Sequence, residues 1–460
     1  MTHGRGSTYG SVVGGLSLLA VALVLYLSPM ANSTPPHHVA QASADLGSPG
    51  SDDVPSKHLL HGDTPTSGKP ASHTTTTNPK GRQIDRQVVY VPTLVDDGKS
   101  PTTTTTVPHT PAVTPAPTNA TPTVVVEPKS ELVDPSTDYW GVAINGVPQG
   151  TPQLNALDTE VGAAPSELTW YQGWDEPYPA QTVQGAWQHG ALPMITWESK
   201  PTFDTTPAQS DPAYSLGDII RGNYDSYLQT FAQSVASTGL PVIIRLDQEM
   251  NGNWFPWSEG LNGNTSGQFA QMWRHVWNIF QAAGANQYVI WLWAPNRVDN
   301  LPHSSPSLSE LYPGDQYVDW VGIDAYWRYT SEAPTFAAVF GETMAAVEAV
   351  TSKPIYIAET SGIETDPTTG ADVGPEKVQF TTSFLAAVES TPQIVGFSWF
   401  DNVATTTQDN IAITNDWRVD SDPANLQAFK SGLTAGTYSD GLMPSSGPPA
   451  TLSVVPAPGG

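Results

Sequence analysis

The 460-residue chain contains no cysteine. Disulfides, cysteine-ligated zinc and thiol nucleophiles are excluded together. Basic residues are scarce as well: 18 Lys and Arg face 44 Asp and Glu, a formal net charge of −26 at pH 7. From residue 136 onward the counts are 10 against 34. Phosphate recognition rests on Lys and Arg, so nucleic acid is a poor partner for this surface. The acidity reads as solubility outside the cell and carries no information about fold. No His/Asp/Glu group has metal-ligand spacing, and no glycine-rich phosphate loop stands between a strand and a helix. Neither a metal nor a cofactor is expected. Aromatic mass is missing from the first third, for all 15 tryptophans lie between Trp140 and Trp417.

What the first third does hold is a targeting pattern and a low-complexity stretch. His3 and Arg5 precede an apolar run over residues 12–27. That run is short of the roughly 20 residues a membrane span needs and fits a signal-peptide core. No clean small-residue cleavage site follows, and Pro29 stands where one is wanted. Residues 1–31 are therefore read as a signal peptide or an uncleaved signal anchor. In either case the chain is exported, extracellular or held at the cell surface, and touches membrane only through this segment. Residues 32–135 are rich in Pro and Thr and nearly free of aromatics. Such a segment cannot bury enough apolar surface to offset its ordering entropy, and its prolines favour an extended stalk. An apolar island at 87–95 interrupts it without an assignable role. Residues 438–460, again rich in Pro, Gly and Ser, are expected to be a disordered tail.

Between 136 and 437 short apolar runs alternate with longer helical stretches, the pattern of βα units around a parallel sheet. The strand candidates are 139–145, 167–171, 192–197, 241–246, 288–294, 318–324, 355–359 and 394–400. They are almost continuously apolar, as strands buried on both faces are. Eight of them over about 300 residues predict a (β/α)8 TIM barrel. One connecting helix is predicted over 268–283, with Phe269, Met272, Trp273, Val276, Ile279 and Phe280 on one face, Ser266 or Thr265 as a start signal and Gly284 as a stop. Trp273 and Trp277 are read as core.

Function in such a barrel sits at the carboxyl ends of the strands. The apolar runs Val242-Ile-Ile-Arg-Leu-Asp-Gln-Glu249 and Pro354-Ile-Tyr-Ile-Ala-Glu359 both stop at a glutamate. Two acids at strand ends are what hydrolysis across one sugar bond requires. Glu249 and Glu359 are the candidate catalytic pair. Aromatic and polar residues collect at the other strand ends: Tyr171, Trp174, Trp197, Glu198, Trp293, Asn296, Tyr326, Trp327, Trp399 and Asp401. Indole faces beneath sugar C–H groups and polar side chains around hydroxyls suit carbohydrate. Asp247, Asp324 and Asp401 are read as turn caps or hydrogen-bond anchors. Glu198 is read as supporting the site or touching substrate.

These residues carry a family resemblance. Arg245-Leu-Asp-Gln-Glu-Met-Asn-Gly-Asn-Trp-Phe-Pro-Trp257 resembles the strand-four signature of glycoside hydrolase family 26, the β-mannanase family. Leu192-Pro-Met-Ile-Thr-Trp-Glu198, Tyr317-Val-Asp-Trp-Val-Gly-Ile-Asp-Ala-Tyr326, Pro354-Ile-Tyr-Ile-Ala-Glu359, Gly396-Phe-Ser-Trp-Phe-Asp401 and Asp416-Trp-Arg-Val-Asp420 are similar to its later segments. The resemblance spans about 138–435. It implies a retaining endo-β-glycosidase with Glu249 as acid/base and Glu359 as nucleophile, a polysaccharide substrate (β-mannan first) and a monomer. It also implies substrate contacts from Arg245, Gln248, Asn251, Trp254, Trp257, Tyr326, Trp399 and Trp197. Arg245 and Tyr326 would keep Glu359 ionised, Trp254 would help Glu249 hold its proton, and Trp399 would form the floor beneath the sugar. One departure stands out: Gln248 occupies the position where the family's mannanases usually carry histidine. Glucans and other surface glycans therefore stay open as substrates, as do transglycosylation and a binding protein that keeps the groove without turnover.

Overall fold

The computed structural model describes residues 121–457 apart from 148–151, 203–210, 300, 303, 329, 367–368, 409–410 and 446–447, together with residues 76–77, 80 and 83–84. Eight strands run parallel in chain order: β1 (Asp138–Ala143), β2 (Glu167–Gly173), β3 (Leu192–Glu198), β4 (Val242–Leu246), β5 (Val289–Trp293), β6 (Trp320–Asp324), β7 (Ile355–Thr360) and β8 (Ile394–Phe400). Each pairs with the next, and β8 closes on β1 in register from Gly396 opposite Tyr139 to Phe400 opposite Ala143. The predicted (β/α)8 barrel is the observed fold, and every strand lies within two residues of its predicted span.

Strand residues alternate between the barrel interior and the surrounding helices because successive side chains point to opposite faces. Glu167, Thr169 and Tyr171 of β2 point inward, and so do Thr196 of β3, Arg245 of β4 and Ser398 of β8. Their mutual hydrogen bonds establish this: Thr169 to Glu167 and Ser398, Arg245 to Thr196. The residues between them face the helices and pack there. The helix Gln268–Ala282 buries Phe269, Met272, Trp273, Val276 and Phe280 against the wall. At about 1.5–3 kcal/mol per fully buried large side chain, that face rather than helix propensity holds the helix in place. Its start differs from prediction, since the cap is Gly267 at φ 80° with no capping side chain, while the Gln268 side chain reaches back to the Thr265 amide.

The expected boundaries at 135 and 438 are corrected. Thr123–Val126 and Thr451–Val454 form a parallel two-stranded sheet, so segments from either end of the domain clasp each other, and Val126 is fully buried. A further short strand, Tyr438–Ser439, adds to the start of β1. In the presumed stalk, Thr76–Thr77 pairs with Gln83–Ile84. Lys80 beside them donates to Asp138 at 2.5 Å and to the Ile394 carbonyl at 2.9 Å, at the first residues of β1 and β8. These ties come from a four-residue valine-rich run and one lysine, signals that average composition over a hundred residues conceals. The targeting segment 1–31 and the island 87–95 lie outside the described residues. Among the described residues no helix is long and apolar enough to cross a membrane.

Candidate active site

The carboxyl ends of β4 and β7 bring Glu249 and Glu359 together, each by a local irregularity. Strand parity would turn Glu359 outward, since Tyr356 points inward to Glu167. Between Ile357 and Glu359, β7 advances two residues while β6 advances one, from Ile323 to Asp324, and β8 shows the same excess. This bulge swings Glu359 into the barrel mouth, the use to which bulges near sites are commonly put. After β4 the chain takes left-handed φ at Asp247 (46°) and Glu249 (55°), a costly conformation for residues other than glycine. It is held by the Asp247 carboxylate, which accepts from the Ser199 amide at 2.7 Å and hydroxyl at 2.8 Å. The Glu249 amide itself donates to the Ala294 carbonyl at 2.7 Å.

The two carboxyl groups sit in contrasting surroundings. Glu359 accepts three hydrogen bonds: Tyr171 hydroxyl at 2.5 Å, Arg245 Nη1 at 2.7 Å and Tyr326 hydroxyl at 2.8 Å. Burial opposes its anion, but the Arg245 charge and these donors outweigh burial and hold it below the usual glutamate range. Glu249 accepts from Trp254 Nε1 at 2.6 Å and Asn296 Nδ2 at 2.7 Å. Burial, then the charge of Glu359, raises it despite those bonds. Arg245 is wholly buried and also pairs with Asp324. Burial and the neighbouring carboxylates push Asp324 well up. Arg245 thus pairs with two of the three acids, Glu359 and Asp324, while Glu249 has no ion pair of its own among the described residues and is shifted toward its protonated form.

Beneath this layer Glu167 lies inside the barrel, bonded by Thr169 at 2.7 Å and Tyr356 at 3.0 Å, and burial pushes it up to about 8. Gly141 makes the room, for a Cβ there would meet the Glu167 carboxylate at 2.0 Å. At the rim Gln248 donates to Glu198 at 2.9 Å, and Lys200 stands 3.3 Å from the same carboxylate. Asn251 and Asn296 are locked together: Asn251 Nδ2 donates to the Asn296 carbonyl at 2.7 Å and its Oδ1 accepts the Asn296 amide at 2.8 Å. Asn251 therefore orients the donor to Glu249 and is itself fully buried.

Four predicted substrate contacts are corrected, the first being Asn251, which is buried against Asn296. Trp197 faces the helices, stacked on Phe231 at 4.3 Å, because Thr196 takes the inward position. Trp399 faces outward beside Ser398 and packs on Phe429 and Phe384. Trp257 stacks on Phe255 at 4.4 Å and donates to the Gln248 carbonyl at 2.8 Å, bracing the loop. The indole packed beside the Glu359 donor Tyr326 is instead Trp417, which follows the hairpin Val403–Gln408/Ile411–Asp416 and lies 5.1 Å from the Tyr326 ring. Tyr171 and Asn296, read from sequence only as rim residues, touch Glu359 and Glu249 directly. Trp417 lies 17 residues beyond the end of β8, and the resemblance of Asp416-Trp-Arg-Val-Asp420 to the family was the one signal that pointed to it. Among the described residues no group of His, Cys, Asp and Glu could hold a metal ion.

Residues 180–365 match Glycosyl hydrolase family 26. Endoglucanase H of Acetivibrio thermocellus is 30% identical over 272 residues, 57% of this chain and 26% of that protein. A mannan endo-1,4-beta-mannosidase of Bacillus subtilis is 26% identical over 157 residues, 31% of this chain and 42% of that protein. The chain spans well under two thirds of the length of either relative. The solved structure of a family 26 β-mannanase from Bacteroides ovatus aligns with 67% of this chain and 92% of that one, at 16% identity and a TM-score of 0.47.

Proposed function

The chain belongs to glycosyl hydrolase family 26, and from that membership we propose that its barrel is a retaining endo-β-glycosidase acting on a β-linked polysaccharide outside the cell. The observation that carries this reading is the contrast between two buried carboxyl groups at strand ends. Glu359 accepts from the Arg245 guanidinium and two tyrosine hydroxyls, whereas Glu249, among the described residues, accepts only from the neutral Trp254 and Asn296 and has no ion pair. A double displacement asks for that division of labour. Glu359 attacks the anomeric carbon as Glu249 passes its proton to the leaving oxygen. Glu249, now a base, then takes a proton from water, which displaces Glu359 and restores both groups. Tyr171, Tyr326 and Arg245 hold the nucleophile in line, and Trp417 with Tyr326 walls the sugar ring.

β-Mannan is the first polymer to test. A β-glucan is the second, and two observations favour it. The match to an endoglucanase covers 57% of the chain, against 31% for the mannosidase. The residue before the acid is Gln248, whose amide nitrogen is engaged by Glu198. Its buried Oε1 has no partner among the described residues and is free to accept a sugar hydroxyl. Export rests on the apolar segment at 12–27 alone. The test is release of reducing ends from mannans, galactomannan, xylans, mixed-linkage and β-1,3-glucans by the full chain. Glu359→Ala and Glu249→Ala are run alongside. Cleavage of one polymer, lost in both variants, is expected. Unchanged cleavage in Glu359→Ala, or binding with no cleavage of the bound polymer, overturns the catalytic reading.

A further inference from the structure

Arg328 stands apart from every other described arginine. Arg221, Arg245, Arg297 and Arg418 each pair with a carboxylate, and Arg274 donates to the Pro313 carbonyl at 2.7 Å. Arg328 has no hydrogen bond or ion pair among the described residues. Its guanidinium lies instead over two rings, 4.5 Å from the centre of Tyr326 and 5.5 Å from that of Trp417. Those rings pack on each other 5.1 Å apart, and the Tyr326 hydroxyl is one that donates to Glu359. In a chain with 44 acidic and 18 basic residues, acidic partners are plentiful. Among the described residues Arg328 is thus a cation with no acidic partner, beside the ring whose hydroxyl bonds the Glu359 carboxylate.

Stacking on aromatic faces orients a guanidinium while leaving its in-plane N–H donors free. Those donors match two oxygens of a carboxylate or a phosphate. We infer that Arg328 recognises an anionic substituent, a carboxylate or a phosphate ester, on the sugar bound beside Tyr326 and Trp417, so that an acidic form of the β-glycan is bound more tightly than its neutral parent. The inference deepens the glycosidase reading and rests on it.

The test compares binding of glucomannan, its C6-carboxylated form and its phosphorylated form, by affinity electrophoresis of the full chain at fixed ionic strength. Wild type, Arg328→Gln and Arg328→Lys are run together, with melting temperatures to confirm folding. Wild type is expected to bind one substituted polymer at least tenfold more tightly than the parent. The ratio should fall to about one in Arg328→Gln and to an intermediate value in Arg328→Lys, which keeps the charge and loses the planar fork. Which substituted polymer is preferred separates carboxylate from phosphate. Equal binding of all three polymers by wild type, a preference undiminished in Arg328→Gln, or no binding of any polymer overturns the inference. Cleavage of the bound polymer is scored separately: it bears on the glycosidase reading, and its loss leaves the binding ratio to judge Arg328.

Discussion

Tyr326→Phe and Trp254→Phe each delete one hydrogen bond to one catalytic carboxyl group while keeping a ring in place. A hydrogen bond to a charged group is worth about 1.5–3 kcal/mol, and 1.36 kcal/mol corresponds to one pKa unit. Glu359 keeps Tyr171 at 2.5 Å and Arg245 at 2.7 Å after the loss of Tyr326, so the lower end applies, about one unit upward. Glu249 keeps Asn296 at 2.7 Å after the loss of Trp254, and since the lost bond favoured the anion it too rises by about one unit. The consequences fall on different limbs of the pH profile of kcat/KM. The acidic limb reports the proton that must leave Glu359 and the alkaline limb the proton that Glu249 must keep, as macroscopic values of a coupled pair. Tyr326→Phe is expected to move the acidic limb up by about one pH unit and leave the alkaline limb nearly fixed. Trp254→Phe is expected to do the reverse. The assay is reducing-end release from the responsive polymer between pH 3 and 9. A Tyr326→Phe profile displaced on its alkaline side, or two profiles superimposable on wild type, would refute the assignment of roles.

The remaining predictions concern stability and the loop bearing Trp417. Burial pushes Glu167 and Asp247 up to about 8 and Asp158 and Asp401 up to about 7. Their ordinary values lie near 4, so the folded chain holds protons that the unfolded chain releases, and stability must fall as pH rises from about 4.5 through 8. The melting temperature should be higher at pH 5 than at pH 8; the opposite order contradicts the burial of these acids. Lys377 donates to the carbonyls of Asp416 and Arg418, both at 3.0 Å, on either side of Trp417. Lys377→Met should loosen that loop and lower kcat/KM at least tenfold, with Trp fluorescence more open to acrylamide; unchanged quenching would count against the tie. Deleting 449–460 removes the strand that covers Val126 and should lower stability by about 1–2 kcal/mol, a drop of a few degrees, with kcat unchanged. A loss of activity larger than the loss of folded protein would place the clasp nearer the site than its contacts do.

The barrel was legible because its strands are buried on both faces, which writes them as unbroken apolar runs, and because Glu249 and Glu359 end two of those runs. Arg245 and Tyr326 were legible as partners of Glu359 through the family resemblance of the segments that carry them. Trp197 and Trp399 were misread because position at a strand end was weighed without parity. Thr196 and Ser398 point inward, so their neighbours cannot, and alternation along the strand would have assigned both indoles to the helix layer. The same rule applied to β7 would have turned Glu359 outward, and only the bulge, invisible in composition, restores it. Asn251 looked like a substrate contact because its amide is polar and near the acid; its two bonds to Asn296 emerge only when loops from β4 and β5 meet. Trp417 lay within a family-like segment but was given no role there, and the Thr123–Val126/Thr451–Val454 clasp depends on contacts between distant segments, which no local pattern announces.

The division of labour between Glu249 and Glu359 is tested most directly by trapping the intermediate. The chain is incubated with a 2-deoxy-2-fluoro glycoside of the responsive sugar bearing an activated leaving group, then digested and mapped by mass spectrometry. The account predicts one covalent glycosyl adduct per chain, on Glu359, forming faster than it is hydrolysed. An adduct on Glu249, or turnover of the activated glycoside with inversion at the anomeric carbon and no adduct, would contradict it.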